Sequence, residues 1–290
     1  MKDIDNIGKT LGILIGIVFL LFFNGSELYQ WFWFSLILVT IGIPHGAIDH
    51  LLDNPKIGKN DLRKFIVKYL LIIVVYYLVW YFFPKTALLL FIVMSAFHFG
   101  QSHFIKDEIS QLKPITYFSL GAFYLSVIFW GDFETLTLIL DSTINISGWQ
   151  FVGSFVIFGL LLLNTLLLLI FQKDKKIKVW MEMLILGPVL YLVPLLLGFI
   201  LYFGFWHALP SMLAEYKTLK HHLEGNKLRS FITRLIPFSL ISLIGIAIVL
   251  IVFSSQLPQK DLIMLFFIMV ALISAPHIWF MNKFLETKHL

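Results

Sequence analysis

Long apolar runs separated by short polar, lysine-bearing connections dominate the chain. A helix needs roughly 20 apolar residues to cross the hydrocarbon core of a bilayer. About ten runs approach that length: residues 8–23, 30–52, 65–83, 86–105, 114–130, 150–172, 179–194, 196–214, 231–253 and 262–282. The pattern tolerates eight to ten spans, because Pro188 and Pro194 interrupt the seventh and eighth runs and could join them into one broken element. The first run, Ile7–Phe23, is not followed by a small-residue cleavage pattern, and further spans follow at once. It reads as a span rather than a removable signal. No linker long enough to separate two domains occurs, so residues 1–290 are expected to form a single integral membrane domain. The expected fold is all-α, a polytopic transmembrane helical bundle.

Composition agrees with that pattern. The chain is 59% hydrophobic and 13% charged, and its mean hydropathy is +0.89. A soluble domain carries about 25% charged residues. The formal net charge of +5 invites a nucleic-acid reading, but the basic residues are scattered through short loops, which is the signal of membrane orientation. With the N-terminus cytoplasmic and ten spans, 20 of the 22 basic residues fall on cytoplasmic connections, leaving Lys85 and Lys260 outside. Merging the seventh and eighth runs would invert everything after them and destroy this asymmetry. Ten spans with both termini cytoplasmic, in the inner (plasma) membrane of a cell, is therefore the expected topology. The longest external segment, Gly131–Gln150, carries three acids and no basic residue. Its core, Phe133–Leu140, is expected to be an ordinary loop in preference to a short amphipathic helix in the interface.

Four histidines fall at nearly one depth in four different runs: His45, His98, His207 and His277. Under the ten-span topology each lies five to seven residues before a cytoplasmic end, or about 8–11 Å at 1.5 Å per residue. Ionisable residues at membrane depth are costly and usually functional. The four form a candidate metal site. Each has a proline or glycine within three residues, as in Pro44-His45-Gly46, His98-Phe99-Gly100, His207-Ala208-Leu209-Pro210 and Pro276-His277. Such residues kink helices or let them approach, and so help aim side chains at one centre.

Asp49 follows His45 by one helical turn, where it could accept that ring's N–H and fix its tautomer. His50 and His103 each follow the first histidine of their segment by five positions, about 140° around a regular helix. They are expected to form a second tier nearer the surface. His221, His222 and His289 lie in lysine-rich surroundings and read as solvated. Phe97, Phe99, Trp206, Trp279 and Phe280 flank the histidines and could line an apolar substrate tunnel, although most of the aromatic load reads as lipid-facing or core.

The chain has no cysteine, which excludes disulfides, thiolate zinc sites and iron–sulfur clusters. Neutral imidazoles suit zinc, copper, iron or nickel. No acid/base pair or hydroxyl nucleophile accompanies the histidines in spacing that suggests hydrolysis. A buried all-nitrogen iron site with open positions would suit O2 activation on a lipophilic substrate.

Through most of its length the chain resembles the Brp/Blh group of microbial β-carotene central-cleavage dioxygenases. The specific parts are Pro44-His45-Gly46 with Asp49 and Phe97-His98-Phe99; His207 and Pro276-His277 match more loosely. The resemblance implies a polytopic membrane enzyme whose histidines bind ferrous iron. Such an enzyme cleaves the central double bond of β-carotene with O2 to two all-trans-retinal molecules, typically supplying a microbial rhodopsin. By position His45, His98, His207 and His277 become the iron ligands. In that family a second histidine often follows the third by one turn; here the position is Ser211, which leaves His277 or another residue to complete the shell.

Two other readings use the same histidines. Membrane di-iron hydroxylases and desaturases need about eight histidines, in His-x-x-x-His and His-x-x-His-His clusters; this chain spaces its pairs by four intervening residues, and His221-His222 lacks the required partners. A divalent-metal or proton transporter would exchange its cargo readily, and would typically show an internal repeat. Pro44-His45 and Pro276-His277 hint at such symmetry, but the intervening runs do not align. No nucleic-acid partner is expected.

Overall fold

The computed structural model describes residues 2–105, 111–171 and 176–287. Lys106, Lys173, Lys175, Lys288 and His289, which the sequence assigns to cytoplasmic or solvated surroundings, lie outside the described residues. The protein is all-α, with no strand among the described residues. The helices, in chain order, are α1 (Lys2–Phe22), α2 (Glu27–Ile37), α3 (Asp49–Asp53), α4 (Lys59–Phe82), α5 (Pro84–Ser102), α6 (Lys113–Gly131) and α7 (Phe133–Leu140). There follow α8 (Val152–Phe171), α9 (Lys176–Leu192), α10 (Leu195–Tyr202), α11 (Leu209–Leu219), α12 (Lys227–Phe253) and α13 (Gln259–Thr287).

Eight helical stretches among the described residues are long and apolar enough to cross a membrane: Asp3–Phe22, Glu27–Asp53, Lys59–Phe82, Lys113–Gly131, Val152–Phe171, Leu195–His222, Lys227–Phe253 and Gln259–Glu286. Their outward faces carry large apolar side chains such as Phe155, Ile241 and Ile251, which a soluble protein would hide and a bilayer accommodates. The fourth and seventh expected spans are helical as α5 and α9 but are not among the eight. α9 and α10 are separate helices, broken at Pro194, which has extended backbone and begins α10.

One expectation fails. Phe133–Leu140 is a helix, not a loop. Asp132 caps it, one carboxylate oxygen accepting from the Thr135 N–H at 3.3 Å. Phe133, Leu136, Ile139 and Leu140 are buried. Their burial supplies the stabilisation that a helix of 8 residues lacks on its own. The other oxygen of Asp132 accepts from the Leu195 N–H at 3.0 Å, so one side chain satisfies orphan donors at the starts of α7 and α10.

The described residues divide into two compact units. The first comprises Met1–Gly42, Ser95–Asp141 and Asn145–Ser211; the second comprises Ile43–Met94, Ser142–Ile144 and Met212–Leu290. In the first, α6 packs against α8 and α9. A Cβ on Gly100 would collide with the carbonyl oxygen of Tyr117, and one on Gly121 with that of Ala96. The backbones of α5 and α6 therefore touch where only hydrogen fits, the close approach that small residues allow in membranes. Asn164 of α8 donates to the Ser119 carbonyl at 3.0 Å and accepts from the Ser119 hydroxyl at 2.8 Å, pinning α8 to α6. In the second unit, α13 packs along α4 and α12. Ala47, Ile48, Leu51, Leu219, Leu223, Phe231 and Leu235 form a buried cluster there.

Candidate metal centre

Regular helix gives way at two of the four histidines. α2 passes into a wider π-helical stretch, Leu38–Gly42, and then a tight 3₁₀ turn, Pro44–Gly46, that carries His45. α10 passes into a π-helical stretch, Phe203–Ala208, that carries His207. Such bulges shift the phase of every later side chain and are frequent at functional sites. His98 lies in α5, and His277 follows Pro276 within α13. Pro276 has no N–H to close the helical ladder. Beside that gap Tyr69 donates to the Ile273 carbonyl at 3.2 Å.

All four histidines are buried, at 5% exposure or less. Each could offer a ring nitrogen to a metal ion. In the first unit His98 and His207 meet edge to face with centroids 4.5 Å apart. In the second, His45 and His277 do so at 4.7 Å. Within each pair, one ring nitrogen of each histidine lies within 4.8 Å of the other, a separation that two ligands of one ion can have.

Hydrogen bonds orient the rings. Nδ1 of His277 lies 2.9 and 3.1 Å from the two carboxylate oxygens of Asp49. A carboxylate only accepts, so Nδ1 carries the proton and Nε2 the lone pair that a metal takes. Nδ1 of His207 lies 2.6 Å from Ser102 Oγ. The same hydroxyl also reaches the His98 carbonyl, at 3.3 Å, and so ties the His207 ring to α5. Nδ1 of His98 faces the Gln101 amide oxygen at 3.4 Å. Gly46 leaves room for the His277 ring: a Cβ there would sit 3.1 Å from its Nδ1.

Asp49 thus meets His277, where the sequence pairs it with His45. The physical reason is the break in the helix: the turn from Pro44 to Ile48 removes the regular one-turn register that the sequence argument assumes. Ser102 and Gln101 were not anticipated, although both follow His98 at same-face spacing. Ser211 is buried, and its hydroxyl donates to the His207 carbonyl at 2.8 Å.

The two histidines expected in a second tier, His50 and His103, differ. The side chain of His103 is buried, with Nδ1 3.2 Å from Glu182 Oε2 and Nε2 3.1 Å from the Tyr202 hydroxyl. Its ring stacks on Tyr124 at 5.0 Å, and Glu182 also pairs with Lys9 at 2.8 Å. His50 is half-buried, packed on Phe65 and Phe238. His221 and His222 are exposed.

The flanking aromatics scatter. Phe99 packs on His207 at 4.7 Å, as does Phe203 at 5.5 Å. Trp206 is buried. Phe97 turns to Tyr117, and Phe280 to Phe65 and Tyr69. Trp279 is 61% exposed, with Lys68 5.8 Å from its ring centre.

No curated protein and no solved structure matches the chain. The model of one family, described as beta-carotene 15,15'-dioxygenase, matches residues 36–285 and takes in all four histidines with Asp49 and Ser102. That match covers most of the chain, which therefore belongs to the beta-carotene 15,15'-dioxygenase family of enzymes.

Proposed function

We propose that this protein cleaves the central double bond of β-carotene with O2, at an Fe(II) held jointly by His45, His98, His207 and His277, giving two molecules of all-trans-retinal. The observation that carries the reading is the donor set: four buried imidazoles in a chain of this family, in two pairs, with Nδ1 of His207 and of His277 engaged by Ser102 and Asp49. A two-histidine pair is an incomplete site, and the four residues stand at one depth in the sequence-derived topology. Neutral nitrogen ligands suit iron. When bound, the Fe(II) supplies the O2 activation that side chains alone cannot.

The rest falls to the protein. Asp49 and Ser102 hold His277 and His207 in register. Phe99 and Phe203 cover His207 and exclude water, which protects reactive oxygen species from side reactions. The long polyene enters laterally from the bilayer, along a tunnel to which Phe97, Phe99, Trp206, Trp279 and Phe280 contribute. One double bond and one O2 give two aldehydes, so the atoms balance without an added proton or electron. No acid/base dyad is needed, in keeping with the donor set. The protein works as one membrane domain of ten spans in the plasma membrane, both termini cytoplasmic, and its retinal supplies a microbial rhodopsin.

The test is expression in a bacterium that accumulates β-carotene, with extracts resolved by chromatography. The reading predicts bleaching with all-trans-retinal appearing, and neither with His98→Ala. Intact β-carotene despite verified membrane expression and iron supply would overturn it.

A further inference from the structure

Glu215 is fully buried in α11, and neither of its carboxylate oxygens has a hydrogen-bond partner among the described residues. A buried carboxyl without a partner is costly and calls for a specific explanation. Leu219, on the same face of α11, belongs to the buried cluster that holds Ala47, Ile48 and Leu51, the residues that bracket Asp49, and Met212 and Tyr216 pack against that cluster. Glu215 therefore lies on the face of α11 that turns to the Asp49 segment. Asp49 in turn holds His277. Two buried carboxyls on facing segments, one of them with no hydrogen-bond partner, mark a place that awaits positive charge.

The metal reading supplies that charge. Four neutral imidazoles do nothing to balance a divalent ion, and an unbalanced double charge in a water-poor interior is heavily penalised. Asp49 provides one negative charge. We propose that Glu215 provides the second, so that Asp49 and Glu215 together neutralise a divalent metal held by the histidines without ligating it. This rests on the histidines binding a metal as proposed above. The buried acid Glu182 of the first unit is not available for the role, since Lys9 pairs with it at 2.8 Å.

The test titrates purified full-length protein in detergent with Fe(II) under anaerobic conditions, against a chromophoric competitor, and measures the thermal midpoint of the metal-free protein. Glu215→Gln and Glu215→Leu remove the charge; Glu215→Asp keeps it. The proposal predicts Fe(II) binding weakened about 10- to 100-fold in Gln and Leu, largely restored in Asp, with the metal-free midpoint unchanged or raised because an unpartnered carboxyl has gone. Wild-type Fe(II) affinity in the Gln or Leu variant would overturn it, as would an affinity loss matched by a drop in the metal-free midpoint, which is what a packing role gives. His207→Ala separates the two claims. If it too binds Fe(II) as wild type does, the metal reading itself has failed; if it abolishes binding while Glu215→Gln does not weaken it, only the role of Glu215 has.

Discussion

Asp49 accepts a hydrogen bond from Nδ1 of His277, 2.9 Å away across 228 positions of sequence. That bond lets Asp49 accept from Nδ1 and leaves Nε2 of His277 for a metal, the state the proposed site needs. Removing it should weaken metal binding more than it weakens the fold. Asp49→Ala is expected to lower iron affinity about 10- to 100-fold, and Asp49→Asn by less, since its amide oxygen still accepts from Nδ1. Iron content after purification checks this.

Ser102 plays the equivalent part for His207. Ser102→Ala removes the hydroxyl that Nδ1 of His207 meets in the buried interior, a loss of about 1–3 kcal/mol. Unfolding of the metal-free variant should show that loss, and retinal yield should fall with it. If both match wild type, the 2.6 Å contact does not orient the ring.

Two glycines should fail in different ways. In Gly46→Ala the new Cβ would sit 3.1 Å from Nδ1 of His277. The ring must shift by tenths of an ångström, so iron affinity should fall while the fold holds. In Gly100→Ala the Cβ meets the backbone of α6 at Tyr117, which cannot yield as a side chain can. Overpacking of this kind costs about 1–3 kcal/mol or more. That variant should lose thermal stability and expression first.

Chelation of iron should abolish cleavage, and Fe(II) should restore it. A ligand bound only by the native state stabilises by about 2.7 kcal/mol at a hundred times its Kd. The thermal midpoint should therefore climb with added Fe(II) in wild type, but not in His207→Ala or His277→Ala. Variants at the exposed His221 and His222 should behave as wild type.

Much of this architecture was legible in the chain. Apolar runs near bilayer length mark the helices because lipid leaves the backbone no other partner. The four histidines stood out because little else ionisable lies at their depth. What escaped depended on local backbone. The four-residue spacing pairs Asp49 with His45 only in a regular helix, and the 3₁₀ turn at Pro44–Gly46 breaks that register. The helix Phe133–Leu140 is short, and its stability comes from burial and from Asp132, neither of which a hydropathy window weighs. Glu215 was missed because the apolar run closes at residue 214, whereas the buried helix continues through it. Ser102 could have been found, since it follows His98 by four positions.

The central claim is that the two histidine pairs share one metal. Anaerobic Fe(II) titration of the purified protein, comparing wild type with His98→Ala, His207→Ala, His45→Ala and His277→Ala, tests it most directly. A shared site predicts one high-affinity iron per chain, lost alike whichever pair is damaged. An iron that stays tightly bound after either pair is removed would contradict it.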